Sequence, residues 1–232
     1  MRSSRRCSLA FVVTVACVVP VRPARGLDVS GEADYGAPSS PSSVGEVPLV
    51  RLSLVDLQGL GPGVSGGASA EAAAVLDRLG ARVEVRSKRP GDAHDPRDLL
   101  VVVMPGHPGP LLQRSVMGAI QRDAPTRALW VFPRTIAAAL GLAGDAAAWT
   151  AVERARFATA LGRVVAHEIV HLTCPWRDHD RSGLMAARMS RATLRGEALD
   201  LEDELRRDFV LGASAQAGRS ERPATARLTA SR

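Results

Sequence analysis

Residues 147 to 173 read AAWTAVERARFATALGRVVAHEIVHLT. Phe157, Leu161, Val164, Val165, Glu168 and Leu172 recur at three- and four-residue steps, which predicts one long amphipathic helix with Arg154, Arg156 and Arg163 off its apolar stripe. Pro175 ends it. The last turns carry His167-Glu168-Ile169-Val170-His171, the pattern H-E-x-x-H. Residues four apart share one helical face, so two imidazoles can grip one zinc ion while Glu168, between them, reaches a water bound to it. In a chain with 5 His among 232 residues the pattern arises by chance only about 0.005 times.

Two ligands do not hold a catalytic zinc; a third protein ligand is expected, with the last position left to water. His179 follows His171 by eight positions, across a Pro-containing loop long enough to fold back over the helix end. Other donors compete for the place. Asp178 or Asp180 could bind through oxygen, and Cys174 is a competent soft ligand that would close the site. Glu197 or Glu202 from the following segment would make the arrangement similar to thermolysin-like peptidases. Six residues beyond His179 a tight turn, Ser182-Gly183-Leu184-Met185, ends in methionine.

These residues resemble the metzincin clan of zinc metallopeptidases, whose pattern is H-E-x-x-H-x-x-G-x-x-H followed by a methionine-containing turn beneath the metal. His167, Glu168 and His171 match residue for residue, and Met185 looks like the turn methionine. Cys174 stands where the family has its helix-ending glycine, and Arg177 where it has the third ligand, so His179 is carried over with two extra residues in the connection. The resemblance covers residues 147 to 189. It implies a zincin-like catalytic domain with His167, His171 and His179 on zinc and Glu168 as general base.

Upstream, residues 48 to 57, 82 to 87, 99 to 104 and 127 to 132 alternate or run apolar and read as strands. Residues 68 to 80 are Ala-rich with an apolar stripe and read as a helix stopped at Gly80, and 110 to 122 as a helical segment. The expected fold is α/β (α+β, zincin-like): a small twisted mixed sheet with a backing helix and a long active-site helix. A short, mainly helical C-terminal subdomain follows, its second helix over about 191 to 211. Residues 212 to 232, small and polar, read as a disordered tail, and 47 to 211 as the catalytic domain.

The N-terminus has the form of an export signal. Arg2, Arg5 and Arg6 precede an apolar run from Cys7 to Val19, too short to span a bilayer with ease, so 1 to 26 reads as a cleavable signal peptide. Cys17 is a candidate lipidation site. Residues 27 to 46, rich in Gly, Ser and Pro, read as a linker or short pro-segment and hold Tyr35, the only tyrosine. Loss of the signal would leave Cys174 as the lone cysteine, so no intramolecular disulfide is expected. The chain is expected to be secreted or periplasmic, with no stable membrane insertion once the signal is gone.

Composition narrows the classes. The chain is 46% hydrophobic and 3% aromatic, with 30 Lys+Arg against 24 Asp+Glu and a net charge of +6. Lys88 is the only lysine and the arginines are scattered, so the basic patch with stacking aromatics that nucleic-acid binding needs is missing. The expectation is an exported zinc-dependent endopeptidase acting on peptide or protein substrates. In it, zinc acidifies water and polarises the scissile carbonyl, and Glu168 moves the proton to the leaving amine. A substrate strand is expected to pair with an exposed sheet edge, for which 127 to 132 is the candidate. Arg181 and Arg188, His94 and His107 read as solvated, and Trp130 and Trp176 as packing residues, Trp176 being also a candidate lining of a substrate pocket. Two rivals stand beside this reading: a secreted zinc-binding protein without peptidase activity, and a cell-envelope binding module holding anionic polymer by its basic surface.

Overall fold

The computed structural model describes residues 47–106, 115–121, 127–197 and 199–220. The segments read as an export signal and as a linker, with Tyr35, Cys7 and Cys17, lie outside them, as do His107 and residues 221–232. The elements run β1 (Leu49–Asp56), α1 (Pro62–Arg78), β2 (Arg82–Lys88), β3 (Leu99–Val103), β4 (Gly118–Gln121), β5 (Ala128–Val131), α2 (Pro133–Leu140), α3 (Ala151–Thr173), α4 (Arg191–Arg195) and α5 (Asp203–Ser220). A 3-10 turn over Ala146–Ala148 precedes α3.

Five strands form one mixed sheet in the order β2-β1-β3-β5-β4, all parallel except β4, which runs antiparallel to β5. Register carries the apolar pattern across it. Leu52 lies beside Leu99, Leu54 beside Val101, and Val101 beside Leu129, so alternate residues of three strands share one face. That face joins Val64, Ala68, Ala72 and Leu76 of α1 and Phe157, Leu161, Val164 and Val165 of α3 in a single core. Leu100, Val102 and Trp130 on the other face are half-buried, so β3 is fully covered on one side only.

α1 and α3 pack against each other through small residues. A Cβ on Gly162 would stand 2.5 Å from the Ala68 carbonyl oxygen and 2.7 Å from Glu71 Cβ, and one on Gly67 would stand 3.0 Å from Ala158 Cβ. α3 starts from a capping box: Thr150 Oγ1 accepts from Glu153 N–H at 3.2 Å, and the Glu153 carboxylate accepts from Thr150 N–H at 2.8 Å. From Phe157 onward the helix is buried nearly all round, which suits its place under α1, α2, α4 and α5.

Four expectations are corrected. The segment read as helical over 110 to 122 contains β4 at Gly118–Gln121, because hydrogen bonding to β5 overrides a short apolar run with no strong helical period. β5, the expected edge, is interior, with β3 on one side and β4 on the other, so β4 is the edge. Arg163 is buried: its guanidinium pairs with Glu71 at 2.7 Å and donates to the Thr193 carbonyl, so partners on α1 and α4 allow the charge inside. The helix expected over 191 to 211 is two helices, because Gly196 at φ 89° ends α4, while α5 continues past Leu211 to Ser220, into the stretch read as a tail. In addition α2 was not foreseen: Pro133, directly after the strand read over 127 to 132, is its first residue and Gly141 at φ 77° closes it.

The α1–α3 contact predicts the sign of one substitution. Gly162→Ala would gain up to about 1 kcal/mol of helix propensity, yet the new methyl group meets backbone of α1 that cannot move aside. Net destabilisation of about 1–3 kcal/mol is expected, read as a lowered urea midpoint at unchanged slope.

Candidate metal centre

The C-terminal end of α3 and the loop after it bring three imidazoles together. His167 Nε2 and His171 Nε2 are 3.1 Å apart, as are His171 Nε2 and His179 Nε2. One ligand nitrogen from each lies within 4.8 Å of the others. His167 and His171 are buried and their rings meet edge-on, with centroids 4.6 Å apart; His179 is exposed and its ring stacks on that of His167 at 5.4 Å.

The tautomer of His167 follows from its neighbour. Its Nδ1–H donates to the Leu184 carbonyl at 2.8 Å, which leaves the Nε2 lone pair aimed at the other two rings. Burial holds this imidazole well below the ordinary histidine range, at about 4, with the Leu184 hydrogen bond opposing the shift and His179 adding to it. The ring is therefore neutral near pH 7, the form that binds a metal. Nitrogen lone pairs converging at 3.1 Å repel one another unless a cation or proton lies between them. Three imidazole donors with a fourth position open are a set that zinc takes, so the residues fit the ion.

The turn at Ser182–Met185 braces both sides of this cluster. Leu184 holds His167, while the Met185 carbonyl accepts from Asp180 N–H at 2.8 Å, next to His179. Asp180 and Ala186 form an isolated parallel bridge. Met185 is fully buried. The sequence pointed to this turn by its methionine, but not to its use of successive carbonyls.

The competing donors stand elsewhere. Cys174 caps α3 with its amide on the Val170 carbonyl and is fully buried; burial, with Asp208 adding to it, pushes its thiol up to about 12, far from a ready thiolate. Asp180 pairs with Arg177 at 3.1 Å, Glu202 with Arg177 at 3.8 Å, and Glu197 with Arg195 at 3.9 Å. Asp178 is exposed, and neither it nor any of the other four belongs to the cluster. Arg181 and Arg188 are exposed, as expected. Trp176 is 58% exposed, so it does not pack, and Trp130 is half-buried in β5. His94 is not solvated as expected: it is half-buried, and both its ring nitrogens are covered without a hydrogen-bond partner.

Glu168 is 8% exposed and lies against β4. A Cβ on Gly118 would come within 2.6 Å of Glu168 Oε1 and Cγ, so only glycine leaves space there for the carboxylate. Sequence reasoning missed Gly118, because nothing in the stretch around it signals a partner fifty residues away.

The metal-free protein should lose stability in acid through His167. An unfolded imidazole takes up its proton near pH 6.5, before the folded one at about 4. The contribution is therefore complete above about pH 6.5 and falls toward pH 4, by at most about 3 kcal/mol. Urea midpoints of wild type and His167→Gln in metal-free buffer should converge across that range.

No family model and no curated protein matches the chain. The solved structure of archaemetzincin from Methanopyrus kandleri is similar to it, with a TM-score of 0.50 and 16% sequence identity, over 74% of this chain and 99% of that one. The similarity is one of fold: a mixed α/β architecture with a five-stranded, mostly parallel sheet.

Proposed function

We propose that the chain is a zinc-dependent endopeptidase with His167, His171 and His179 as metal ligands and Glu168 as general base. The observation that carries this reading is the convergence of three Nε2 atoms at 3.1 Å steps, with the Glu168 carboxylate between two of the ligand positions in sequence and against the edge strand in space. A structural site would favour a fourth protein ligand. Among the described residues no fourth His, Cys, Asp or Glu joins the group.

A zinc ion held there supplies Lewis acidity toward water and a substrate carbonyl. The rest falls to the chain. Among the described residues β4 is an edge strand, along which main-chain hydrogen bonds can align an extended peptide beside Gly118 and thus beside Glu168. Glu168 then accepts a proton from the attacking water and delivers it to the leaving amine. Glu168 is buried, which limits the access of competing water to that transfer. The N-terminal segment 1 to 26, read as an export signal, directs the enzyme to substrates outside the cytoplasm; among the described residues no helix is long and apolar enough to cross a membrane.

Cleavage of a mixed peptide library, read by mass spectrometry, tests the reading. The zinc-loaded wild type should cut, and a chelator should abolish cutting. Glu168→Gln should lose about 10²–10⁴-fold in rate with zinc still bound, and His179→Ala should weaken zinc binding strongly. Metal-dependent cleavage that survives Glu168→Gln undiminished would sink the mechanism.

Gly118→Ala separates the base from the ligands. The three atoms nearest the added methyl group all belong to Glu168, so cleavage should fall at least tenfold while zinc affinity, measured by chelator competition, stays within about twofold.

A further inference from the structure

His179 comes from an exposed loop, and something must hold that loop against the end of α3. The guanidinium of Arg177 is in position to do so. Its Nη1 donates to Asp208 Oδ2 at 2.9 Å, and its Nη2 to both oxygens of Asp180 at 3.1 and 3.3 Å, with Glu202 at 3.8 Å. The side chain is only 9% exposed, while Asp180 and Asp208 keep 26% and 27% of theirs in solvent.

The two carboxylates belong to different parts of the fold. Asp180 adjoins His179, and its own amide is tied to the methionine turn that holds His167. Asp208 belongs to α5, which is docked on the last turn of α3: a Cβ on Gly212 would stand 2.4 Å from the Thr173 carbonyl oxygen, and Gln216 Nε2 donates to the Leu172 carbonyl at 3.0 Å. The helix end carrying His167 and His171 is thus linked through α5, Asp208 and Arg177 to Asp180 and the loop carrying His179. The circuit closes around the three nitrogens.

We propose that Arg177 is a positioning residue for the metal centre: it brackets His179 by pairing with Asp180 on one side and Asp208 of α5 on the other. The proposal rests on the reading of His179 as a ligand. A planar guanidinium meets two carboxylates at once, which fixes a direction as well as a distance; a lysine ammonium does this less well. The partners hydrate readily when it is removed, so the fold should survive while the loop gains freedom, and the cost falls on metal binding. This is the behaviour of groups that orient a ligand from behind.

Zinc affinity of the full chain, measured by competition with a chromogenic chelator, tests it without recourse to activity. Arg177→Met should weaken zinc binding about 10–100-fold, Asp208→Asn should act in the same direction, and Arg177→Lys should recover part of the loss. In a His179→Ala background, Arg177→Met should change the remaining affinity by less than about twofold, because the residue it positions is gone. Affinity of Arg177→Met within twofold of wild type would overturn the proposal, and so would an equal loss in the His179→Ala background, since the effect would then not pass through His179. If His179→Ala itself bound zinc as wild type does, the ligand assignment would fall, and the bracket with it. Thermal unfolding of each metal-free variant separates loss of fold, which would weaken binding in both backgrounds alike.

Discussion

Three imidazole nitrogens meet in two steps of 3.1 Å, through His171, because the surrounding chain brings them together. Two of them are held by helical spacing, since His167 and His171 share a face of α3. The third requires the chain to leave the helix, turn, and return. Much of the C-terminal third of the protein serves that requirement. Cys174 caps the helix, Arg177 and Asp180 stiffen the loop, and Leu184 and Met185 lend their carbonyls to each side of the cluster. α5 buttresses the whole from behind, close enough that Gly212 has no space for a side chain.

The sheet has a different task. Its core face is built by register: Leu52, Leu99, Leu54, Val101 and Leu129 line up because paired strands put alternate residues on one side. Side chains of this face share one core with α3, and the glycine at 162 lets α1 lie close beside the helix. The helix is thereby held ahead of its last turns, which carry His167, Glu168 and His171. β4 then crosses near that last turn as an edge strand, and Gly118 lets the Glu168 carboxylate sit against it. The close approach places the Glu168 carboxylate beside an edge strand of the described sheet.

Much of this was legible in the residues. H-E-x-x-H on a helix end, a further histidine across a proline-containing loop, and a tight turn ending in methionine identify a metal centre because metal ligation limits residue type and spacing so severely. Four strands and the first helix could be read for the ordinary reason that burial imposes a period of 2 or 3.6. Where the reading failed, a distant partner decided the outcome. Four residues at 118–121 become a strand only by pairing with β5. Arg163 goes inside only because Glu71 and the Thr193 carbonyl await it, and Trp176 stays outside although its side chain is apolar.

By itself the sequence determined the long helix, the three histidines and the glutamate between two of them, since these depend on local spacing along one element. Only the tertiary structure decided which strand forms the edge, that Gly118 accommodates Glu168, and that Arg177, standing two residues before His179, spans Asp180 and Asp208. Those relations join residues tens of positions apart, and no local period encodes them. They arise when the sheet, the two packed helices and α5 are in place, because only then do the groups come within reach of one another.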